Sequence, residues 1–595
     1  MVKKIKPLLF ILLLFLLIYT RLINLDWGLP YPMHPDERNM AHALSQLNCS
    51  EFQIFNLKQL KSCFNPEFFA YGQFPLYLGF FLLKIYYFLI GNLKNIFFTD
   101  AVIILRAISG LASVINAVVL LFIFRLLIQT KSSKNKKIKI FDFKLLLAFL
   151  IIIFSPFFIQ FSHFGTTESL LMLFYSIIVY LSILLIKNKK VEIKQIIYLG
   201  FFSGLAISTK TTGIFFISVP IVCLFLKIGN NKHYFKHILY ILFFLAITAF
   251  SMIIFSPHNI ISQSDFLSSM KYESDVAFGR YVAFYTRQFK YSIPTIFQLR
   301  YIFPYALGLP LYISSLLGFL FLTWKKKEIN LLRFAFLVYF IPQSFLFAKW
   351  IRFITPIFPI ALLFSILFFL KLFSKAHTFK NSFFKKYFIY ILFFPLYISL
   401  LIPGIAYLSI YTNTDIRFKA SKWIYENIPD NSYILSETAN VVDLPIIDKK
   451  DKDMKIKYRN YTYISFNFYD LDNNALLQKQ LKKHIENADY IFIPSRRVFA
   501  NNTCINEKGE NTEFLGYFND RCNNLKEEYP EINKYYKDLF SGNLGFKKIA
   551  EFSSYPKFSL FGHTLITLPD EDAEETWTVF DHPVFRIYMR KGLKD

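Results

Sequence analysis

Acidic residues are scarce in the first two thirds of this 595-residue chain. Residues 1–410 carry 41 Lys/Arg against 13 Asp/Glu, whereas residues 411–595 are nearly balanced at 26 against 28. The net charge of +26 is therefore confined to the part of the chain that is also rich in Phe, Leu and Ile. It reads as a membrane-topology signal, which removes nucleic-acid binding as its explanation. Other absences narrow the field. No Gly-rich phosphate loop occurs, so nothing indicates a nucleotide site. No HExxH-type or EF-hand spacing occurs, and no cysteine pair has zinc-ligand spacing. No internal repeat is apparent, and the charges gather at one face rather than deep within apolar runs. Both absences count against the main alternative for such a chain, a multi-pass transporter or flippase of lipid-linked envelope precursors.

What is present is a series of apolar stretches of bilayer-crossing length. They lie near 7–21, 101–128, 145–162, 169–187, 195–209, 211–227, 237–256, 303–323, 331–348, 354–371 and 387–410, about eleven in all. Lys/Arg clusters at 3–6, 131–144, 187–194, 227–236, 325–327 and 371–386 all fall in connections on one side. The positive-inside rule then places the N-terminus in the cytoplasm and residues beyond 410 outside a plasma membrane crossed many times. No small-residue cleavage site comes after the first apolar run, so it is expected to remain as a membrane helix, with Arg21 to Trp27 as an interfacial anchor. Phe74 to Ile90 is expected to be an interfacial helix in a long first outer loop, because a crossing there would reverse the charge pattern of every later loop.

After Tyr411 the composition turns mixed and charged. Residues 1–410 thus form an all-α polytopic membrane domain, and residues 411–595 an α/β extracytoplasmic domain large enough for one core. Its pattern predicts helices near 415–427, 475–487 and 531–540 and strands at 432–436, 490–494, 546–552 and 584–589. The acidic run Glu571 to Glu575 is expected to be a solvated loop. Four of the five cysteines fall as local pairs in compartments read as oxidising. That predicts Cys49–Cys63 and Cys504–Cys522 disulfides, with Cys223 alone inside a span.

The candidate functional residues gather at the outer ends of the spans. His34-Pro35-Asp36-Glu37 comes after the first apolar run, and adjacent carboxylates are costly to hold beside a bilayer unless something cationic or reactive needs them. Glu168 lies at the outward end of the third stretch, after Phe161-Ser162-His163-Phe164-Gly165-Thr166-Thr167. Cations suited to phosphate collect at the same face: Lys210 between two spans, then Lys349 and Arg352 in Lys349-Trp350-Ile351-Arg352-Phe353. Such a set suits sugar transfer from a polyprenyl-phosphate sugar. Asp36, with Glu37 and Glu168, would supply the general base for an acceptor hydroxyl and steady oxocarbenium-like charge, while the cations hold the leaving phosphate. The duller readings are a helix cap for the doublet, boundary positions for Glu168, His34 and His163, and snorkelling or headgroup anchoring for Lys210, Lys349 and Arg352.

The ordered set His34-Pro35-Asp36-Glu37, Phe74-Pro75-Leu76, Ser162-His163 to Glu168, Gly204-Leu205-Ala206 to Lys210, and Arg352 to Pro359 resembles the GT-C fold glycosyltransferases. Within them it resembles the protein O-mannosyltransferase and aminoarabinose lipid A transferase family, over about residues 1–410. The resemblance implies a dolichyl- or undecaprenyl-phosphate sugar as donor, inversion at the anomeric carbon, and Asp36 as the catalytic carboxylate supported by Glu37 and Glu168. The acceptor would be a protein, lipid or glycan; no cofactor is implied with certainty, and a divalent cation is left open. Two departures stand out. Lipid A transferases carry Lys-Pro-Pro where this chain has Gln73-Phe74-Pro75, so Lys84, Lys210, Lys349 or Arg352 must hold the phosphate, and Gln73, His34 and His163 become lining residues. No Trp-Trp pair occurs, which disfavours transfer of an intact oligosaccharide to asparagine.

Overall fold

The computed structural model describes residues 2–48, 61–91, 96–128, 143–228, 234–377, 383–439, 441–447, 459–505 and 520–593. In hydrocarbon a backbone without water satisfies its hydrogen bonds most simply as a helix, so charge-free Leu/Ile/Phe runs become helices. Among the described residues five are long and apolar enough to cross a bilayer: Phe98–Ile128, Glu168–Lys187, Ile238–Phe255, Ile351–Ser374 and Phe393–Thr412. The pair Phe143–Ile153 and Pro156–Ser162, bent by 52°, makes a sixth if counted as one span. Leu8–Leu22, Phe74–Leu89, Ile193–Thr209, Thr211–Lys227 and Leu309–Phe321 are shorter apolar helices.

The bend in the sixth has a chemical cause. Pro156 has no N–H to continue the helix, which frees carbonyls in the preceding turn. The carbonyls of Ile152 and Ile153 accept from the guanidinium of Arg21 at 3.0 and 2.8 Å, and Arg21 Nε donates to Ser113 Oγ at 3.0 Å. Arg21 is wholly buried, and Trp27, also buried, donates its indole N–H to the His163 carbonyl at 3.0 Å. The expected interfacial anchor is thus an internal strut, because the broken helix offers acceptors that water would otherwise have to satisfy. Helix Phe383–Thr412 crosses the same break at Gly404, where a Cβ would lie 1.8 Å from the Phe154 carbonyl oxygen.

Beyond Thr412 the chain builds a sheet-containing domain. Its strands are β1 (Tyr433–Glu437), β2 (Thr462–Phe466), β3 (Tyr490–Ile493), β4 (Phe546–Phe552), β5 (Lys557–Leu560), β6 (His563–Thr567) and β7 (Phe585–Arg590). A five-stranded sheet runs β2-β1-β3-β7-β4, and β5 and β6 form a separate hairpin. β1 pairs in parallel with β2 and β3, while β7 is antiparallel to β3 and β4. Side chains alternate across a strand, and here both faces are covered. Ile434, Phe492, Phe585 and Ile587 join a core continuous with the helical bundle. Leu435, Ile491, Ile493 and Tyr588 pack with Leu481, Tyr536 and Leu539 from helices Ala475–Asn487 and Pro530–Ser541.

The acidic run is solvated only at its start, where Asp572 is exposed. Glu574 and Glu575 are each 1% exposed, because the stretch 570–582 is wedged between sheet and bundle. The Glu574 amide donates to the Tyr301 carbonyl at 2.8 Å, and Gln160 Nε2 donates to the Trp577 carbonyl at 2.8 Å. Tyr407 and Tyr411 donate to one oxygen of Asp581 at 3.0 and 2.7 Å. Burial of a charge calls for compensation, which Asp581 receives from the bundle tyrosines and Glu575 from an ion pair with Arg497 at 3.2 Å.

Candidate active site

Helix Pro35–Gln46 begins with His34 as its cap. The His34 Nδ1 accepts from the Asp36 and Glu37 amides at 3.2 and 3.5 Å, and Pro35 occupies the first turn, where its missing N–H costs nothing. Burial lowers the His34 pKa despite the nearby carboxylates, which suits a neutral ring whose Nδ1 lone pair serves the helix. That ring is sandwiched by Phe164 at 4.7 Å and Phe580 at 4.3 Å. Asp36 is thereby aimed from a rigid helix start.

Adjacent residues on a helix point about 100° apart, and the doublet divides accordingly. Asp36 meets the Arg352 guanidinium in an ion pair about one fifth exposed on each side. Glu37 turns inward, taking both Arg106 Nη2 at 2.6 Å and Nε at 2.8 Å, with the Gly165 amide at 2.7 Å. Arg106 is wholly buried and also donates to the Leu25 and Trp27 carbonyls, both at 2.8 Å. Glu37 therefore braces the first loop against helix Phe98–Ile128 and does not share a pocket with Asp36.

Two further groups join Asp36 and Arg352. Glu168 begins helix Glu168–Lys187, where a carboxylate is favoured by the helix dipole. Lys210 caps the C-terminal end of helix Ile193–Thr209 and reaches Glu168 Oε1 at 3.4 Å. Its ammonium lies over the Tyr71 ring at 5.2 Å and the Phe353 ring at 5.4 Å. Arg352 lies over Trp350 at 4.5 Å. His34, Asp36, Phe164, Glu168, Arg352 and Phe580 line one small pocket, to which Thr576 of the wedge also contributes.

Two residues in this field carry no sequence motif. The Tyr71 hydroxyl hydrogen-bonds Asp36, and burial raises its own pKa. Glu273, on helix Gln263–Phe278, feels Arg352, Asp36 and Lys210. Burial raises the Asp36 pKa, but Arg352, His34, Lys210 and the Tyr71 bond together outweigh it and hold the carboxyl below its usual range. Glu273 shifts the other way, raised by burial and by Asp36 against the opposing pull of Arg352. One carboxylate is thus kept ionised and the other biased toward its proton.

The remaining expected residues are placed elsewhere. Lys84 is an exposed residue of helix Phe74–Leu89 with its ammonium over the Phe80 ring, and it is not among the residues that line the pocket. Lys349 donates to the Phe347 carbonyl at 3.0 Å, and burial lowers its pKa to about 8. His163 stacks on Tyr411 at 3.8 Å, with its two ring nitrogens against the Ile159 and Ile23 carbonyls. Gln73 spends its amide on Asn259 and the His258 N–H, both at 3.0 Å. Cys504 and Cys522 are bridged, their Cα atoms 5.5 Å apart. Cys49 lies outside the described residues, and with it the Cys49–Cys63 pairing. Among the described residues no group of three His, Cys, Asp or Glu side chains is arranged to hold a metal ion.

Residues 85–261 match the family model for dolichyl-phosphate-mannose-protein mannosyltransferase. The matched stretch lies within the helical bundle, and over it the chain is similar to that family of membrane glycosyltransferases. No curated protein matches the sequence. Among solved structures it is similar to the archaeal oligosaccharyltransferase AglB of Archaeoglobus fulgidus, in complex with an inhibitory peptide and a dolichol-phosphate. That likeness is at 12% identity and a TM-score of 0.49, over 84% of this chain and 71% of that one. It is also similar to ArnT of Cupriavidus metallidurans bound to undecaprenyl phosphate, at 11% identity and a TM-score of 0.43, over 83% of this chain and 93% of that one.

Proposed function

We propose that this protein transfers a sugar from a polyprenyl-phosphate donor to an acceptor hydroxyl at the outer face of the membrane, with inversion at the anomeric carbon. The observation that carries the proposal is the meeting of an ionised Asp36 with Arg352 in one pocket, flanked by the Glu168–Lys210 pair. Arg352 offers a planar fork to phosphate oxygens and Lys210 a point charge. Both stabilise the negative charge that grows on the leaving phosphate as the bond to the sugar breaks. Donor binding draws the Arg352 charge away from Asp36 and so raises the proton affinity of that carboxylate. Asp36 then accepts the hydroxyl proton as the new glycosidic bond forms. Tyr71 orients Asp36. In this scheme the N-terminus is cytoplasmic and the sheet domain, residues 411–595, is extracytoplasmic.

The test uses the intact chain in lipid nanodiscs with radiolabelled polyprenyl-phosphate sugars. Asp36→Asn is expected to fold and bind donor yet lose transfer by about 10²–10⁴-fold, the range for removal of a positioned general base. Transfer retained by that variant removes Asp36 as the base.

A further inference from the structure

A cavity of about 550 Å³ is separate from the Asp36 pocket. It opens at the seam between the two domains, walled by the membrane domain's 288–305 stretch and by the sheet domain's 496–505 and 569–574 stretches. Its size falls in the range of ligand sites, and domain seams are where such sites concentrate. Tyr291, Tyr301, Tyr305 and Tyr555 line it together with Arg300 and Asp572. The acidic part of the wall is held rigidly. Arg586 makes a two-pronged pair with Glu571 at 2.9 and 2.6 Å, and Arg496 bonds the Ala573 carbonyl and Thr578.

We propose that this cavity is an acceptor subsite and that its occupant is an oligosaccharide, an inference that rests on the transfer reaction assigned above. A pyranose has a C–H face that lies against an aromatic ring and a rim of hydroxyls, each one donor and two acceptors. Phenol rings interleaved with carboxylate and guanidinium groups match both surfaces. A peptide finds less here. Arg586, the cavity's residue from the sheet, belongs to β7, which is paired on both sides, so that strand offers no free edge for a peptide to extend.

The cavity also shares a wall with the chemistry. Glu574, in its lining, accepts from the Ile351 amide at 3.3 Å and from Gln288 Nε2 at 2.8 Å. Ile351 and Thr576, two residues beyond Glu574, line the Asp36 pocket. Glu574 thus lies in the cavity lining and bonds the backbone next to Arg352.

Binding is measured without donor, by saturation-transfer NMR on the intact chain in lipid nanodiscs, because maltoside detergents would themselves compete. The probes are maltotriose, mannotriose and chitotriose, with a Ser/Thr-rich peptide as the rival. At least one sugar is expected to bind, and Tyr305→Ala and the solvent-exposed Asp572→Asn to weaken that binding about tenfold or more. Asp36→Asn should bind sugar as the parent does while losing transfer. Failure of all three sugars, parent-like binding by both seam variants, or peptide binding in their place overturns the proposal. Sugar binding without any transfer by the parent supports the subsite and removes the transfer reaction. Transfer that depends on Asp36, with no sugar bound, removes only the subsite.

Discussion

Asp36 and Glu37 are chemically near-identical neighbours with separate duties, and the difference comes from what each faces. Asp36 looks into a pocket with a cation that a phosphate can claim. Glu37 looks at a wholly buried guanidinium and a backbone N–H, partners that only it can satisfy. Breaking a buried ion pair by removing one partner costs about 3–5 kcal/mol. Glu37→Gln is therefore expected to lower thermal stability in nanodiscs by that order, while transfer per folded molecule changes only severalfold. Asp36→Asn should show the reverse pattern. The residue types and the short list around Asp36 were legible, since charges beside long apolar runs are conspicuous. Arg106 was not, because it lies within an apolar stretch and only folding sets it beside Glu37. Tyr71 and Glu273 were missed for a related reason: neither has a spacing that marks it.

At the scale of elements, the cations are positioned by where helices stop. Helix Ile193–Thr209 ends at Lys210, and its last carbonyl turn is met by Gly72, whose amide donates to the Thr209 carbonyl at 3.0 Å. A Cβ on Gly72 would lie 2.0 Å from the Ser208 carbonyl oxygen, which only backbone movement relieves. Such overpacking costs about 1–3 kcal/mol, and here the movement separates Tyr71 and Lys210 from Asp36. Gly72→Ala is expected to reduce transfer by about tenfold or more, since small misplacements at a reacting centre are costly, with a modest fall in melting temperature measured in the same nanodiscs. The helices and strands predicted in the sheet domain lie within a residue or two of their expected bounds, whereas β2, β5 and β6 were not foreseen. Helix Ala475–Asn487 and strand Phe546–Phe552 stand as their patterns predicted, because amphipathic period and turn residues are local properties. Strand order is not local, and the antiparallel insertion of β7 between β3 and β4 was invisible to pattern.

The whole molecule is joined by a buried charge relay. His582 lies between Asp570 at 2.9 Å and Asp581 at 2.6 Å, and Asp581 receives Tyr407 and Tyr411 from the bundle. Burial disfavours the imidazolium, but the two carboxylates outweigh it and push its pKa up to about 10. A group whose folded value is raised gives stability that is full below its ordinary value near 6.5 and is lost as pH rises through the folded value. The melting temperature is expected to be level on this account below about pH 6.5 and to fall steadily toward pH 10. His582→Gln should be less stable at neutral pH and lose that slope. A fall of equal slope in the variant would remove His582 as its source.

What the sequence determined by itself is the division into an apolar basic part and a mixed part, the placing of most helices and strands, and the nomination of Asp36, Glu168, Lys210 and Arg352. Each comes from composition, period or charge within a short window. Only the tertiary structure decided that Glu37 is a brace, that Arg21 caps a broken helix, and that residues 570–582 enter the seam and complete the Asp36 pocket. Buried charges demand partners, and packing brings those partners from stretches of chain hundreds of residues apart.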